Sequence, residues 1–155
     1  MAHKLLLATR NKGKIEEFRR ILDAVAPGEI DLVGLDQFPD LHDVIEDGAT
    51  FEENALLKAR SICAETGLPA IADDSGLAVD HLGGAPGIFS ARYSGVHGDD
   101  QANLNKVLHE MDGVSNRRAQ FVCAAAFVAP RGYELVLRAE MVGNLIDAPR
   151  GEKGF

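Results

Sequence analysis

Two carboxylates stand side by side in "AIADDSGLAVD", at Asp73 and Asp74. Adjacent acids repel one another, and each is costly to bury. The pair is therefore either turn chemistry, accepting local hydrogen bonds, or a place where a cation is held. Magnesium takes hard oxygen ligands, commonly one or two carboxylates completed by water and substrate phosphates. Glu46, Glu52, Glu53, Asp73 and Asp74 are the acids that can supply them. Side chains alternate across a strand, so Asp73 and Asp74 are expected to do different jobs, one entering a cleft and the other serving the turn. Glu53 has a competing role, because Thr50-x-x-Glu53 reads as a capping box that satisfies backbone donors at a helix start.

The cations gather elsewhere. In "LLLATRNKGK" an apolar run passes through a short polar loop into a helix. Such a junction offers backbone N–H groups and the positive end of a helix dipole, which suits phosphate. Thr9 and Asn11 add hydrogen-bonding groups, and Arg10, Lys12 and Lys14 add charge. The glycine spacing and the Lys-Ser/Thr pair of a P-loop are missing. The plainer alternative is that Asn11 caps the helix and the cations are solvated. Asn54 and Lys58 lie four apart on one helix face, where Lys58 can reach a phosphate or an acid, or can be a surface lysine. The histidines at 3, 42, 81, 97 and 109 show no metal-ligand spacing. Ser75 lacks the flanking glycines of a nucleophile elbow. Zinc and covalent-hydrolase chemistry are set aside on those grounds.

The elements that must position these groups follow from periodicity. "HKLLLAT" reads as a buried strand and "KIEEFRRILDAV" as an amphipathic helix, with Ile15, Phe18, Ile21, Leu22 and Val25 at helical spacing and Pro27-Gly28 as its stop. "EIDLVGL" is a second strand, and the acidic segment 36–48 a loop. "TFEENALLKARSICAETG" is a capped helix ending at Gly67. "LPAIADDSG" predicts a strand and then a sharp turn, and "LGGAPGIFSARYSGVHGDD" a long irregular loop. "DDQANLNKVLHEMDG" predicts a helix with Leu104, Val107, Leu108 and Met111 on one side. "AQFVCAAAFVAPRGYELVLRAEMVG" predicts a hairpin turning at Pro130-Arg131-Gly132. Strands alternating with helices, followed by a hairpin, imply an α/β protein with a mixed sheet.

Composition narrows the class. The 155 residues suit one domain, and a net charge of −8 opposes binding to a nucleic-acid backbone. No apolar run approaches the roughly 20 residues that span a bilayer, and the apolar stretch near the N-terminus is too short for a signal peptide. Cys63 and Cys123 form no close-spaced motif and sit in apolar patterns, so both are expected in the core of a reduced, cytoplasmic protein.

Three segments then combine. "LLATRNKGKIEEF", "GATFEENALLKA" and "AIADDSGLAVDHLGGAPGIFSARYSG" occur in this order and spacing. Together they closely resemble the inosine/xanthosine triphosphate pyrophosphatase family, from about residue 4 to the end of the chain. The resemblance implies an elongated mixed β-sheet flanked by helices, with two lobes around a central cleft, and a homodimer. It implies magnesium-dependent hydrolysis of non-standard purine nucleoside triphosphates (ITP, dITP, XTP) to monophosphate and pyrophosphate, with no nucleic-acid or membrane partner. Carried over by motif, Thr9, Arg10, Asn11, Lys12, Gly13 and Lys14 hold the triphosphate. Asn54 and Lys58 lie on a helix at the substrate, with the lysine facing the phosphates. Asp74 is general base and magnesium ligand, and Ser75 contacts substrate. Glu46 falls near the family's other acidic metal ligand, although members usually read E-x-G or E-E-T-G where this chain has Ile45-Glu46-Asp47-Gly48. Asp73 and Glu53 are second-line candidates.

Family members continue into F-G-Y-D-P and a later S-H-R motif, both of which contact the base. Phe155, the last residue here, matches the first position of F-G-Y-D-P and is expected at the substrate. The expectation is thus a single domain, C-terminally truncated and without the base-recognition segment. A catalytically impaired nucleotide-binding fragment, or a Maf-like pyrophosphatase preferring modified pyrimidines, are the alternatives. The "ADDSGL" and "GGAPG" block argues against the Maf-like reading.

Overall fold

The computed structural model describes residues 1–151. Strand β1 (His3–Leu7) pairs in parallel with β2 (Ile30–Gly34), Leu5 opposite Leu32, and with β3 (Ala70–Val79), Leu6 opposite Ala70. Parallel neighbours need long crossovers, and helices α1 (Lys12–Val25) and α2 (Phe51–Thr66) lie in those connections. After α3 (Asp100–Glu110), strands β4 (Arg118–Val128) and β5 (Glu134–Asn144) complete a sheet of order β2-β1-β3-β4-β5. The turn between β4 and β5 is closed by the Ala129 N–H donating to the Tyr133 carbonyl. It is too short for a parallel crossover, so the sheet is mixed.

The chain divides into two compact units. The first comprises Met1–Asp74 and Ala124–Leu137, the second Ser75–Cys123 and, among the described residues, 138–151. In the first unit, α1 starts because the Asn11 side chain accepts the Lys14 N–H at 3.2 Å. It packs Ile15 against Leu7 and Leu32, with Phe18 and Leu22 half-buried beside them. Helix α2 starts at Thr50, whose Oγ1 accepts the Glu53 N–H at 3.1 Å, while Glu53 Oε2 accepts the Ala49 N–H at 2.7 Å. The capping reading of both Asn11 and Thr50 therefore holds. Phe51, Ala55, Ala59, Ile62 and Cys63 form the buried stripe of α2. The helix stops at Gly67, whose left-handed φ of 67° favours glycine and lets its N–H reach the Cys63 carbonyl.

In the second unit, Val79, Val107, Met111 and Ala119 form the core, with Leu77, Leu82, Tyr93, Val114 and Leu145 packed on it. The Tyr93 hydroxyl donates to the Glu110 carboxylate, and Lys106 Nζ lies 4.3 Å from the Tyr93 ring centroid. The Arg117 guanidinium donates to the Met111, Leu145 and Ile146 carbonyls, tying the chain after β5 to the end of α3.

Three expectations change. There is no sharp turn after Asp73-Asp74, because β3 runs on unbroken to Val79. Side chains from the helices bond both acids, so no turn is needed to supply their hydrogen bonds. The segment read as an irregular loop contains a six-residue 3₁₀ helix, Gly87–Arg92, with Ser90 Oγ accepting the Leu77 N–H at 2.9 Å. Cys63 is buried as expected, but Cys123 is exposed. Along β4, Val122 and Ala124 are buried, so strand alternation turns Cys123 to the other face.

Candidate active site

The two adjacent acids are held by different helices. Asp73 is 8% exposed, and its Oδ2 accepts from Lys14 Nζ of α1 at 2.8 Å. Asp74 is half-buried, and its Oδ2 accepts from Asn54 Nδ2 of α2 at 3.1 Å. Strand alternation thus gives the two acids different partners.

Asn54 is 1% exposed and lies on the buried stripe of α2 between Phe51 and Ala55. Its other end, Oδ1, accepts the Gly48 N–H at 2.8 Å. Two residues before Gly48, Glu46 Oε1 lies 3.2 Å from Lys58 Nζ, one turn beyond Asn54 on α2. A Cβ at Gly48 would come within 2.7 Å of Asn54 Oδ1 and 2.8 Å of Glu53 Cβ, so only glycine fits this approach. The acidic segment read as a loop is in this way fastened to the helix that carries Lys58.

The phosphate-loop candidates divide. Thr9 Oγ1 accepts the Asn11 N–H at 3.1 Å, and Asn11 caps α1, so both side chains shape the junction between β1 and the helix. Arg10 turns toward the 35–43 segment, where it donates to the Leu41 carbonyl at 2.8 Å and the Leu35 carbonyl at 3.3 Å and faces Asp43 at 3.7 Å. Lys12 and Gly13 are exposed in the first turn of α1. Ser75 follows Asp74 in β3 and is half-buried, within the second unit. Phe155 lies outside the described residues.

Among the described residues no group of three or more His, Cys, Asp or Glu forms a metal cage. Magnesium commonly takes one or two carboxylates plus water and substrate phosphates, and does not need one. Asp74 and Glu46 offer carboxylate oxygens, the hard donor class this ion accepts.

The Ham1 family matches residues 5–155. The dITP/XTP pyrophosphatase of Streptomyces avermitilis is 56% identical over 154 residues, covering 98% of this chain and 76% of its own length. The chain belongs to the Ham1 family. The crystal structure of a dITP/XTP pyrophosphatase from Mycobacterium abscessus superposes with a TM-score of 0.85 at 44% identity, over 98% of this chain and 79% of that one. A HAM1 protein from Coxiella burnetii superposes with a TM-score of 0.89 at 36% identity, over 99% and 78%.

In this Ham1 chain two relationships escaped the reading of residue types. The partner of Lys14 is Asp73, 59 positions away, and no local pattern announces it. Asn54 did carry a signal, since it sits on the apolar stripe of α2, where a polar side chain must find partners.

Proposed function

We propose that this chain hydrolyses non-standard purine nucleoside triphosphates to the monophosphate and pyrophosphate, with magnesium as cofactor. The observation that carries this reading is that three acids of the first unit, Asp73, Asp74 and Glu46, are each met by a side chain of α1 or α2, namely Lys14, Asn54 and Lys58 in turn. The curated relatives' name, dITP/XTP pyrophosphatase, supports the substrate class.

The chemistry assigns each group a part. A carboxylate accepts a proton from water attacking phosphorus and orients that water, and Asp74 has the fixed orientation for this because Asn54 donates to it. The cations of Lys14 and Lys58 offset charge on the phosphate oxygens as the bond to the leaving group breaks. The first turn of α1, from Lys12, presents N–H groups suited to a phosphate. Asp74 and Glu46 are the residues that would hold magnesium, which when bound polarises phosphate oxygens and lowers the pKa of bound water. No covalent enzyme intermediate is required. The family resemblance supports a cytoplasmic homodimer.

The test is incubation with ITP, dITP and XTP beside ATP, GTP, dTTP and UTP, with magnesium or with chelator, scored for monophosphate, pyrophosphate and orthophosphate. Monophosphate and pyrophosphate from the inosine and xanthosine substrates, abolished by chelator, are expected. Stepwise orthophosphate release, or preference for dTTP and UTP, overturns the reading.

A further inference from the structure

We propose that Asn54 is a positioning residue, which aims the Asp74 carboxylate and pins the Gly48 turn while making no contact with substrate. The inference rests on the hydrolase reading above and adds a role for a residue that the motif alone places at the substrate. At 1% exposure, Asn54 has almost no surface to offer a nucleotide. Both ends of its amide are engaged inside the protein. Nδ2 donates to Asp74 Oδ2 at 3.1 Å and Oδ1 accepts from the Gly48 N–H at 2.8 Å. One side chain on a helix therefore links the middle of β3 to the segment carrying Glu46. Lys58, one turn further along the same helix, holds Glu46 itself at 3.2 Å. A catalytic carboxylate must be held within about half an ångström of its working geometry, and a shift of about 1 Å costs on the order of 100-fold in rate. Loss of the link should therefore act on kcat.

The packing gives a second, independent handle. Because a Cβ at Gly48 would press on Asn54 Oδ1 at 2.7 Å, Gly48→Ala disturbs the same link while leaving the asparagine itself in place. The experiment compares wild type, Asn54→Ser and Gly48→Ala in the full chain, with thermal unfolding as the check on folding. The serine is neutral and too short to span both partners. Steady-state kinetics with ITP and magnesium give kcat and KM, and calorimetry with a non-hydrolysable α,β-methylene triphosphate gives Kd. The expected result is kcat lowered about 10- to 100-fold with KM and Kd within about threefold, in Asn54→Ser and more weakly in Gly48→Ala. A tenfold or greater loss of Kd or KM with kcat kept puts Asn54 on the substrate and overturns the proposal. Wild-type kcat and KM in Asn54→Ser overturn it also. If Asn54→Ser does not fold, Gly48→Ala is judged by the same outcomes. If wild type releases orthophosphate in place of pyrophosphate, the hydrolase reading falls, and the kcat-against-KM split still decides the role of Asn54. If wild type turns nothing over, Kd alone decides: retention supports a residue off the substrate, and a tenfold loss overturns it.

Discussion

Lys14 Nζ lies 2.8 Å from Asp73 Oδ2, with the lysine side chain 32% exposed and the carboxylate side chain only 9%. The ammonium thus bridges a nearly buried acid and solvent. It can balance Asp73 and still meet an arriving phosphate. Lys14→Ala is expected to weaken triphosphate binding by about tenfold more than monophosphate binding, each tenfold being about 1.4 kcal/mol. Calorimetric titration with the two nucleotides measures this, and equal losses would place Lys14 outside the polyphosphate site. The same variant leaves a nearly buried carboxylate unpaired. Partial exposure of the lysine reduces the cost from the full buried-pair value to about 1–3 kcal/mol. Adding Asp73→Asn should recover part of it, as read by urea unfolding.

Asp74→Asn keeps the size of the side chain and removes its ability to accept a proton. Turnover is expected to fall by about 10²- to 10⁴-fold, with triphosphate binding still measurable. Turnover like that of wild type removes Asp74 from the mechanism.

Thr50 Oγ1 caps α2, the helix that carries both Asn54 and Lys58. Thr50→Ala is expected to destabilise the chain by about 1 kcal/mol. Chemical unfolding checks the size, and the companion kinetics should show less change than Asn54→Ser does. A stability equal to that of wild type would mean that the Glu53 to Ala49 bond suffices as a cap.

Tyr93 gives a pH signature in the second unit. Burial, then the hydrogen bond to Glu110 and the charge of that carboxylate, push its phenol from an ordinary value of 10 up to about 12. The folded chain holds this proton more tightly than the unfolded chain does. The contribution to stability is therefore complete below about pH 10 and is lost as the pH rises toward 12. Wild type should unfold at a higher temperature than Tyr93→Phe near pH 9, and the gap should narrow near pH 11.5. A gap that stays constant would show that the phenol proton is not linked to folding.

Much of this protein is written locally. Apolar periodicity marks α1, α2 and α3, because a helix buries one stripe whatever else surrounds it. The caps at Asn11 and Thr50 are legible, since each bond spans only three residues. The short turn that makes β4 and β5 a hairpin is legible in Pro130-Arg131-Gly132. The three ordered motifs carry the family, and the adjacent acids with nearby cations carry the class of chemistry.

Tertiary structure decided the rest. "DDSG" reads as a turn because acids, serine and glycine favour turns. It is strand because Lys14 from α1 and Asn54 from α2 satisfy the acids from a distance. Cys123 reads as core because its neighbours are apolar, and the strand's alternation turns it outward. The sequence by itself determined which residues are able to hold a phosphate, a metal or a proton. Which acid pairs with the lysine, and which is aimed by the buried asparagine, depends on contacts 59 and 20 residues apart in the chain. Local pattern carries no trace of such contacts, because only the packed sheet and helices bring those partners within hydrogen-bonding distance.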